Sequence, residues 1–181
     1  MWHSLSATGM EGRFDLFILS DTTDPDVWVR EEAMWNELRG QPGLEGHLFY
    51  RRRPSNPKRK SGNIANFCRR WGRNYRYMIV LDADSVMTGE AWVRMVDAME
   101  RNPRIGILQT PPKGVNRETL IARVQQFANS LYGPIFAVGQ NFWQLGDAQY
   151  WGHNAVIRVE PFMRYCELPK LPGHGPLSGE I

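Results

Sequence analysis

The chain has 181 residues, 42% of them hydrophobic and 23% charged, a balance that excludes a disordered polypeptide and allows one domain with a core. Its net charge of +3 and isoelectric point near 9.0 are mildly basic, and charge alone does not choose among a nucleic acid, an anionic membrane face and a phosphorylated substrate. No apolar run approaches the ~20 residues of a membrane helix, Met1 to Gly12 lacks a secretory-leader pattern, and Cys68 and Cys166 have no metal-type spacing and read as reduced thiols.

Strand-like and helix-like patterns alternate along the chain without an internal repeat, which predicts a single α/β domain over residues 1–181 with a mostly parallel sheet flanked by helices. Phe14 to Ser20 reads as a first strand. Asp24 caps a helix that starts at Pro25, carries an apolar stripe of Val27, Trp28, Met34, Trp35 and Leu38, and ends at Gly40 and Pro42. Leu48 to Tyr50 reads as a second strand. The segment from Arg51 to Lys60 is dense in Lys and Arg and broken by Pro54 and Pro57, so it reads as an exposed loop. Ser61 is expected to cap a helix with Ile64, Phe67, Cys68 and Trp71 on one side. Tyr77 to Leu81 is the clearest buried strand. Thr88 opens a helix with Trp92, Met95, Val96 and Met99 inward, stopped at Asn102-Pro103, and Ile105 to Leu108 is a further strand. Asn116 can cap a long helix through Leu120, Val124, Phe127 and Leu131. Beyond Gly133-Pro134 the chain turns aromatic and Gly-rich, and Leu168 to Gly179 is loop-like.

The sharpest chemical signal is Tyr77-Met-Ile-Val-Leu-Asp-Ala-Asp-Ser85, an apolar strand that runs directly into Asp82 and Asp84. Residues two apart on an extended chain point to the same side, so both carboxylates can face one point beyond the strand's carboxyl end, where open α/β sheets bind ligands. Two neighbouring carboxylates repel unless a cation lies between them. Mg²⁺ or Mn²⁺ suits that place, since it accepts a few carboxylate oxygens and completes its shell with water and phosphate. The plainer reading is a solvated Asp-rich turn.

Asp82-Ala-Asp84 behind an apolar strand resembles the Asp-x-Asp motif of family 2 glycosyltransferases, the cellulose-synthase-like group. The similarity extends through Phe49-Tyr-Arg-Arg-Arg53, Lys58-Arg-Lys-Ser-Gly-Asn-Ile64, Phe67-Cys-Arg-Arg-Trp-Gly72, Gln125-Gln-Phe127, Tyr132-Gly-Pro134, Phe142-Trp-Gln-Leu-Gly146 and Tyr150-Trp-Gly-His-Asn-Ala-Val-Ile-Arg158. In these strings the chain closely resembles members that build the backbone of osmoregulated periplasmic glucans in Gram-negative bacteria. The resemblance implies a GT-A (Rossmann-like) fold, a UDP-glucose donor, a divalent metal and an inverting transfer onto a growing β-glucan acceptor. It also implies a protein embedded in the bacterial inner membrane, with this domain on the cytoplasmic side and the membrane segments outside this chain. Within it, Asp82 and Asp84 take the place of the pair that meets ribose, phosphate and metal. Asp21 stands where the family has an acid near the uridine, and Lys60-Ser-Gly-Asn63, with Gly62 inside it, resembles the segment that lines the nucleotide. Gln109-Thr-Pro111 resembles a segment beside the donor sugar, and Trp151-Gly-His153-Asn154 the loop close to the acceptor.

Each of these residues also has a plainer role. Ser61 can be only an N-cap and Lys60 only a solvated charge; if they act on the donor, a helix start with Gly62 favours the anion and Lys60 offsets the charge that develops on the diphosphate. Asp21 can end a strand in a polar turn. The Arg51 to Lys60 stretch reads first as a solvated loop, with a donor contact second; nucleic acid is a distant third, because the stretch has no interleaved aromatics. A lone histidine such as His153 is usually structural, and Trp143 and Trp151 can be core residues or sugar platforms. The resemblance further implies that the first strand of the fold precedes Met1 and that the general base lies in an acidic motif beyond Ile181. Glu180, the last acid, has nothing to support it as that base. The 181 residues alone are accordingly expected to be marginally stable and inactive. Besides this membrane synthase, a soluble family 2 transferase with another acceptor and a non-enzymatic basic module remain as readings.

Overall fold

The computed structural model describes residues 1–111, 113–116, 118–145, 147 and 149–166; the tail expected from Leu168 onward, with Glu180, lies outside them. Among these residues the elements run α1 (Trp2–Ser6), β1 (Leu16–Ser20), α2 (Pro25–Arg39), β2 (Leu48–Arg52), α3 (Arg59–Trp71), β3 (Tyr77–Val80), α4 (Gly89–Arg101), β4 (Ile107–Gln109), α5 (Leu120–Gln144), β5 (Ala155–Arg158) and α6 (Val159–Tyr165). This is the expected α/β alternation of a partial GT-A domain.

The strands form two sheets. β1 and β2 pair in parallel, with Leu16 opposite Leu48 and Ser20 opposite Arg52. β5 lies between β3 and β4 and runs antiparallel to both. The carboxyl ends of β1 and β3 both meet the start of α3, through the Asn63 amide on the Leu19 carbonyl and through Lys60 on Asp82. The first sheet is parallel, as expected; in the second, β3 and β4 run the same way and β5 is reversed between them. Between the sheets, β1 and β3 each keep one edge unpaired among the described residues, and both edges line a cavity of about 1370 Å³. This cavity corrects the reading of Tyr77 to Leu81 as a buried strand: every residue of β3 is only half-buried, because the edge next to the cavity has no neighbour among the described residues.

The core lies elsewhere. Trp92 and Met99 on α4, as expected from their helical spacing, are almost fully buried together with Leu5 on α1 and Val156 on β5. α1 seats directly on Gly89, where an added Cβ would come within 2.2 Å of the Leu5 Cα, and the Ser4 hydroxyl accepts from the Gly89 N–H. Thr88 and Asp24 cap their helices as predicted, each side chain accepting a backbone N–H. A second cluster joins Phe17 and Phe49 of β1 and β2 to Phe67 and Trp71 of α3 and to Tyr75, whose hydroxyl donates to Asp15.

Three predicted boundaries move. The Ser61 hydroxyl donates to the Lys58 carbonyl from inside the first turn of α3, so the residue preceding the helix is Lys58, in the left-handed region and without a side-chain cap bond. The long helix starts from Thr119, which accepts from the Ala122 N–H, rather than from Asn116. It also continues through Pro134 to Gln144, since a proline removes a single helical bond and a neighbouring turn can absorb it. Its stripe is not inward: no residue of α5 is buried, and Leu120, Val124, Phe127 and Leu131 are exposed. Trp143 is exposed as well, so among the described residues it is not a core residue.

Candidate functional site

The functional candidates collect at the carboxyl ends of β1, β2 and β3 and at the start of α3. Asp21 follows β1, and both of its carboxylate oxygens accept from Arg53, at 2.7 Å from Nε and 2.6 Å from Nη2. The Arg53 side chain is only 8% exposed, and it also donates to the carbonyls of Pro57 and Arg59. Arg51, inside β2, donates to the Asn63 carbonyl and, at 2.5 Å, to the Asn63 Oδ1. The exposed-loop reading of Arg51 to Lys60 is therefore corrected. Arg51 and Arg52 belong to a strand, Arg59 and Lys60 to a helix, and Arg53 is buried. A guanidinium leaves water only when a carboxylate and carbonyls replace its hydration, and Asp21 with two turn carbonyls does so here. Burial, reinforced by the Arg53 charge, pulls the pKa of Arg51 down from its ordinary value. Its Nε and Nη1 are buried without a hydrogen-bond partner among the described residues.

Asn63 is buried, and its amide is used at both ends, donating to Leu19 and accepting from Arg51. It ties β1, β2 and α3 together and fixes where Lys60 starts. Gly62 has a packing reason for its identity: a Cβ there would lie 2.1 Å from the Pro57 carbonyl oxygen and 3.1 Å from the Arg53 Nη1. The room that this glycine leaves is thus taken by the protein's own turn. Gly62→Ala is expected to shift the Pro57 turn and cost about 1–3 kcal/mol of overpacking, more than the ~1 kcal/mol that alanine gains in a helix. A urea titration checks this as a lower midpoint at unchanged slope.

Lys60 reaches across to the Asp82 carboxylate, and this ion pair joins α3 to the end of β3. Lys60, Asn63 and Asp82 line the end of the cavity between the sheets. Asp84 is exposed and lies outside that lining. The strand thus brings Asp82 to Lys60 and leaves Asp84 open to solvent. No group of three or more His, Cys, Asp or Glu capable of holding a metal occurs among the described residues. Two carboxylates still suit Mg²⁺ or Mn²⁺ when a diphosphate supplies further oxygens. A cation held by the protein alone does not fit, because Lys60 already balances Asp82.

The loop before β5 lies outside the lining of that cavity and is bonded to the end of β3. The Trp151 N–H donates to the Gln109 Oε1 at 2.8 Å, the Asn154 N–H to the Val80 carbonyl at 2.8 Å, and the Thr110 N–H to the Asn154 carbonyl at 3.1 Å. Gln109, Trp151, His153 and Asn154 are therefore gathered beside the end of β3. Trp151 is 40% exposed. Tyr150, which the sequence reading passed over as a site residue, lies in the same loop. Its phenol is pushed up to about 12 by burial and by the nearby Asp82 carboxylate. The only sequence hint was an aromatic residue next to Trp151 in an otherwise small and polar loop.

The sequence pattern described as "Glycosyl transferase family 2" matches residues 4–166. Among curated relatives, the chain is 55% identical over 180 residues to the "Glucans biosynthesis glucosyltransferase H" of Enterobacter sp. (strain 638) and to that of Escherichia coli (strain K12). It is 54% identical over the same length to the protein so named in Klebsiella pneumoniae subsp. pneumoniae. In each case the match covers 99% of this chain and 21% of the relative, so the chain spans about a fifth of the relatives' length. No solved structure matches it significantly.

Proposed function

The chain belongs to glycosyl transferase family 2, and from that membership we propose that the whole protein transfers glucose from UDP-glucose to a growing β-glucan with inversion at the anomeric carbon. The observation that carries this reading is the meeting of Lys60 and Asp82 at the carboxyl end of β3, the same end to which Asn154 of the loop before β5 is bonded through the Val80 carbonyl. In the reaction an acceptor hydroxyl oxygen attacks the anomeric carbon, the bond from that carbon to the diphosphate breaks, and negative charge grows on the departing UDP. Lys60 lies where an ammonium can offset that charge. Asp84, with Asp82 and the diphosphate, would hold Mg²⁺ or Mn²⁺, which would supply Lewis-acid stabilisation of the same leaving group. Asp21 and Arg53 set the floor of the nucleotide side by fixing the turn before α3. Gln109 and Trp151 set the sugar side. In this reading the whole protein sits in the bacterial inner membrane with this domain on the cytoplasmic side; no helix among the described residues is long and apolar enough to cross a membrane.

Incubation of the purified whole protein with labelled UDP-glucose, UDP-galactose or ADP-glucose tests the proposal. UDP-glucose alone should label a polymer that a β-glucosidase degrades and that EDTA suppresses. Equal labelling from ADP-glucose, or an α-linked product, would contradict it. The soluble single-addition reading would instead give one labelled sugar per acceptor. The basic-module reading loses ground because Arg51 and Arg53 are spent on Asn63 and Asp21 rather than offered to a polyanion.

A further inference from the structure

The residues of the candidate site stand on two separate sheets. Asp21, Lys60 and Asn63 belong to the end of β1 and to the helix bonded to it, whereas Asp82, Gln109 and Asn154 stand at the ends of β3, β4 and β5. β1 and β3 are not hydrogen-bonded to each other among the described residues. The Lys60–Asp82 pair bridges the two halves, but its side chains are 46% and 39% exposed, and an exposed ion pair is a weak brace. Apolar packing holds the sheets together without direction. A reacting pair split between them needs a firmer joint.

Such a joint lies at the opposite, amino ends of the strands. Asp15 directly precedes β1. One of its carboxylate oxygens lies 2.8 Å from the Nδ1 of His47, directly before β2, and the other accepts from the Tyr75 hydroxyl at 2.6 Å, two residues before β3. One carboxylate thus ties the entries of three strands, and the Tyr75 bond crosses from one sheet to the other. The Tyr75 ring is embedded in the aromatic cluster of the first sheet. It meets Phe17 of β1 edge-on, with centroids 5.7 Å apart, and stacks on Phe67 of α3. Burial, and after it the Asp15 carboxylate, push the Tyr75 phenol up, so it stays a donor. Its backbone N–H is held as well, by the Gly72 carbonyl.

We infer that Tyr75 is a positioning residue of the transferase: its bond to Asp15 fixes the tilt of β3 against β1 and thereby sets Asp82 opposite Lys60. Asp82 lies seven residues beyond Tyr75. At roughly 3.3 Å per extended residue the lever is about 20 Å long, so a tilt of about 3° at the joint moves Asp82 by about 1 Å. A misplacement of that size costs an enzyme up to about a hundredfold in rate. The inference rests on the reading of Lys60 and Asp82 as the place of transfer and goes beyond it, because the joint lies at the other end of the strands.

Tyr75→Phe in the whole protein tests it, since phenylalanine keeps the ring in its cluster and removes only the hydroxyl. Tyr77→Phe is the contrast. It also removes a phenol hydroxyl from the region of β3, but that hydroxyl accepts from the Arg158 Nη1 of β5, inside the second sheet. Steady-state transfer from UDP-glucose is measured at a temperature where urea titration shows each variant folded. Tyr75→Phe should lower kcat about three- to thirtyfold with KM within about twofold, and Tyr77→Phe should keep both constants within about twofold of wild type. Asp15→Ala should match the Tyr75→Phe loss, and the double variant should lose no more than the larger single loss, since both changes break one joint. A wild-type kcat in Tyr75→Phe, an equal fall in Tyr77→Phe, or losses that multiply in the double variant would each overturn the inference. If Asp15→Ala does not fold, the two phenylalanine variants decide alone. A wild-type protein that transfers nothing from UDP-glucose would instead refute the glucosyltransferase reading, and this inference with it.

Discussion

Asparagine in place of Asp82 is expected to lower glucosyl transfer by the whole protein about a hundredfold or more, with the loss falling chiefly on kcat. Asp82 holds two things in place. Its carboxylate receives Lys60 from α3, and it stands two residues before Asp84 at the end of β3. Asparagine keeps the size and a hydrogen-bond acceptor but removes the charge, so Lys60 loses its ion-pair partner and the cation loses one of its two protein carboxylates. Both effects act where the departing diphosphate gathers charge, which is why kcat carries the loss. Asp97→Asn provides the contrast. Asp97 pairs with Arg101 one turn away on the exposed side of α4, and that pair is an ordinary surface contact. Steady-state kinetics of both variants should separate them, with Asp97→Asn within about twofold of wild type. Equal kinetics for Asp82→Asn and wild type would remove Asp82 from the reacting centre.

Arg53→Met is expected to cost about 3–5 kcal/mol of folding stability. It leaves Asp21 charged and without the fork that satisfies both of its oxygens, and it strips the donor from the Pro57 and Arg59 carbonyls. The cost of a half-broken buried pair exceeds the worth of the pair, so combining Arg53→Met with Asp21→Leu should recover a large part of the loss. Urea unfolding followed by tryptophan fluorescence measures the cycle. A loss below about 1 kcal/mol for Arg53→Met would mean that Arg53 is not buried in solution and would restore the solvated-loop reading of the basic stretch.

Much of the framework was legible because it depends on local spacing. Asp24 before Pro25 and Thr88 before the Trp92, Met95, Met99 stripe are short-range signals, and both helices begin where those signals place them. Asp82 at a strand end was legible for the same reason. The Arg53–Asp21 pair was not, since it closes 32 residues of chain and nothing in a run of arginines says which one turns inward. Asn63 looked like a group on offer to a ligand; its amide instead bridges Leu19 and Arg51, contacts that only the packing of α3 against two strands creates. β5 was missed as a strand. Ala155-Val-Ile is too short to outweigh the turn before it, although those three residues are almost fully buried once β3 and β4 flank them. The helix through Pro134 was missed because a proline reads as a stop, and the outward stripe of α5 because periodicity marks an apolar face without saying what covers it.

In the proposed reaction the acids ending β3 grip a nucleotide-sugar diphosphate together with a divalent cation. Calorimetric titration of UDP-glucose into the whole protein, with and without Mn²⁺, on wild type and Asp84→Ala, tests it most directly. The account predicts Mn²⁺-dependent binding by wild type and an affinity at least about tenfold weaker in Asp84→Ala, the loss of roughly one charge-assisted contact. Binding of equal strength without the cation, or an Asp84→Ala protein that binds as wild type does, would contradict it.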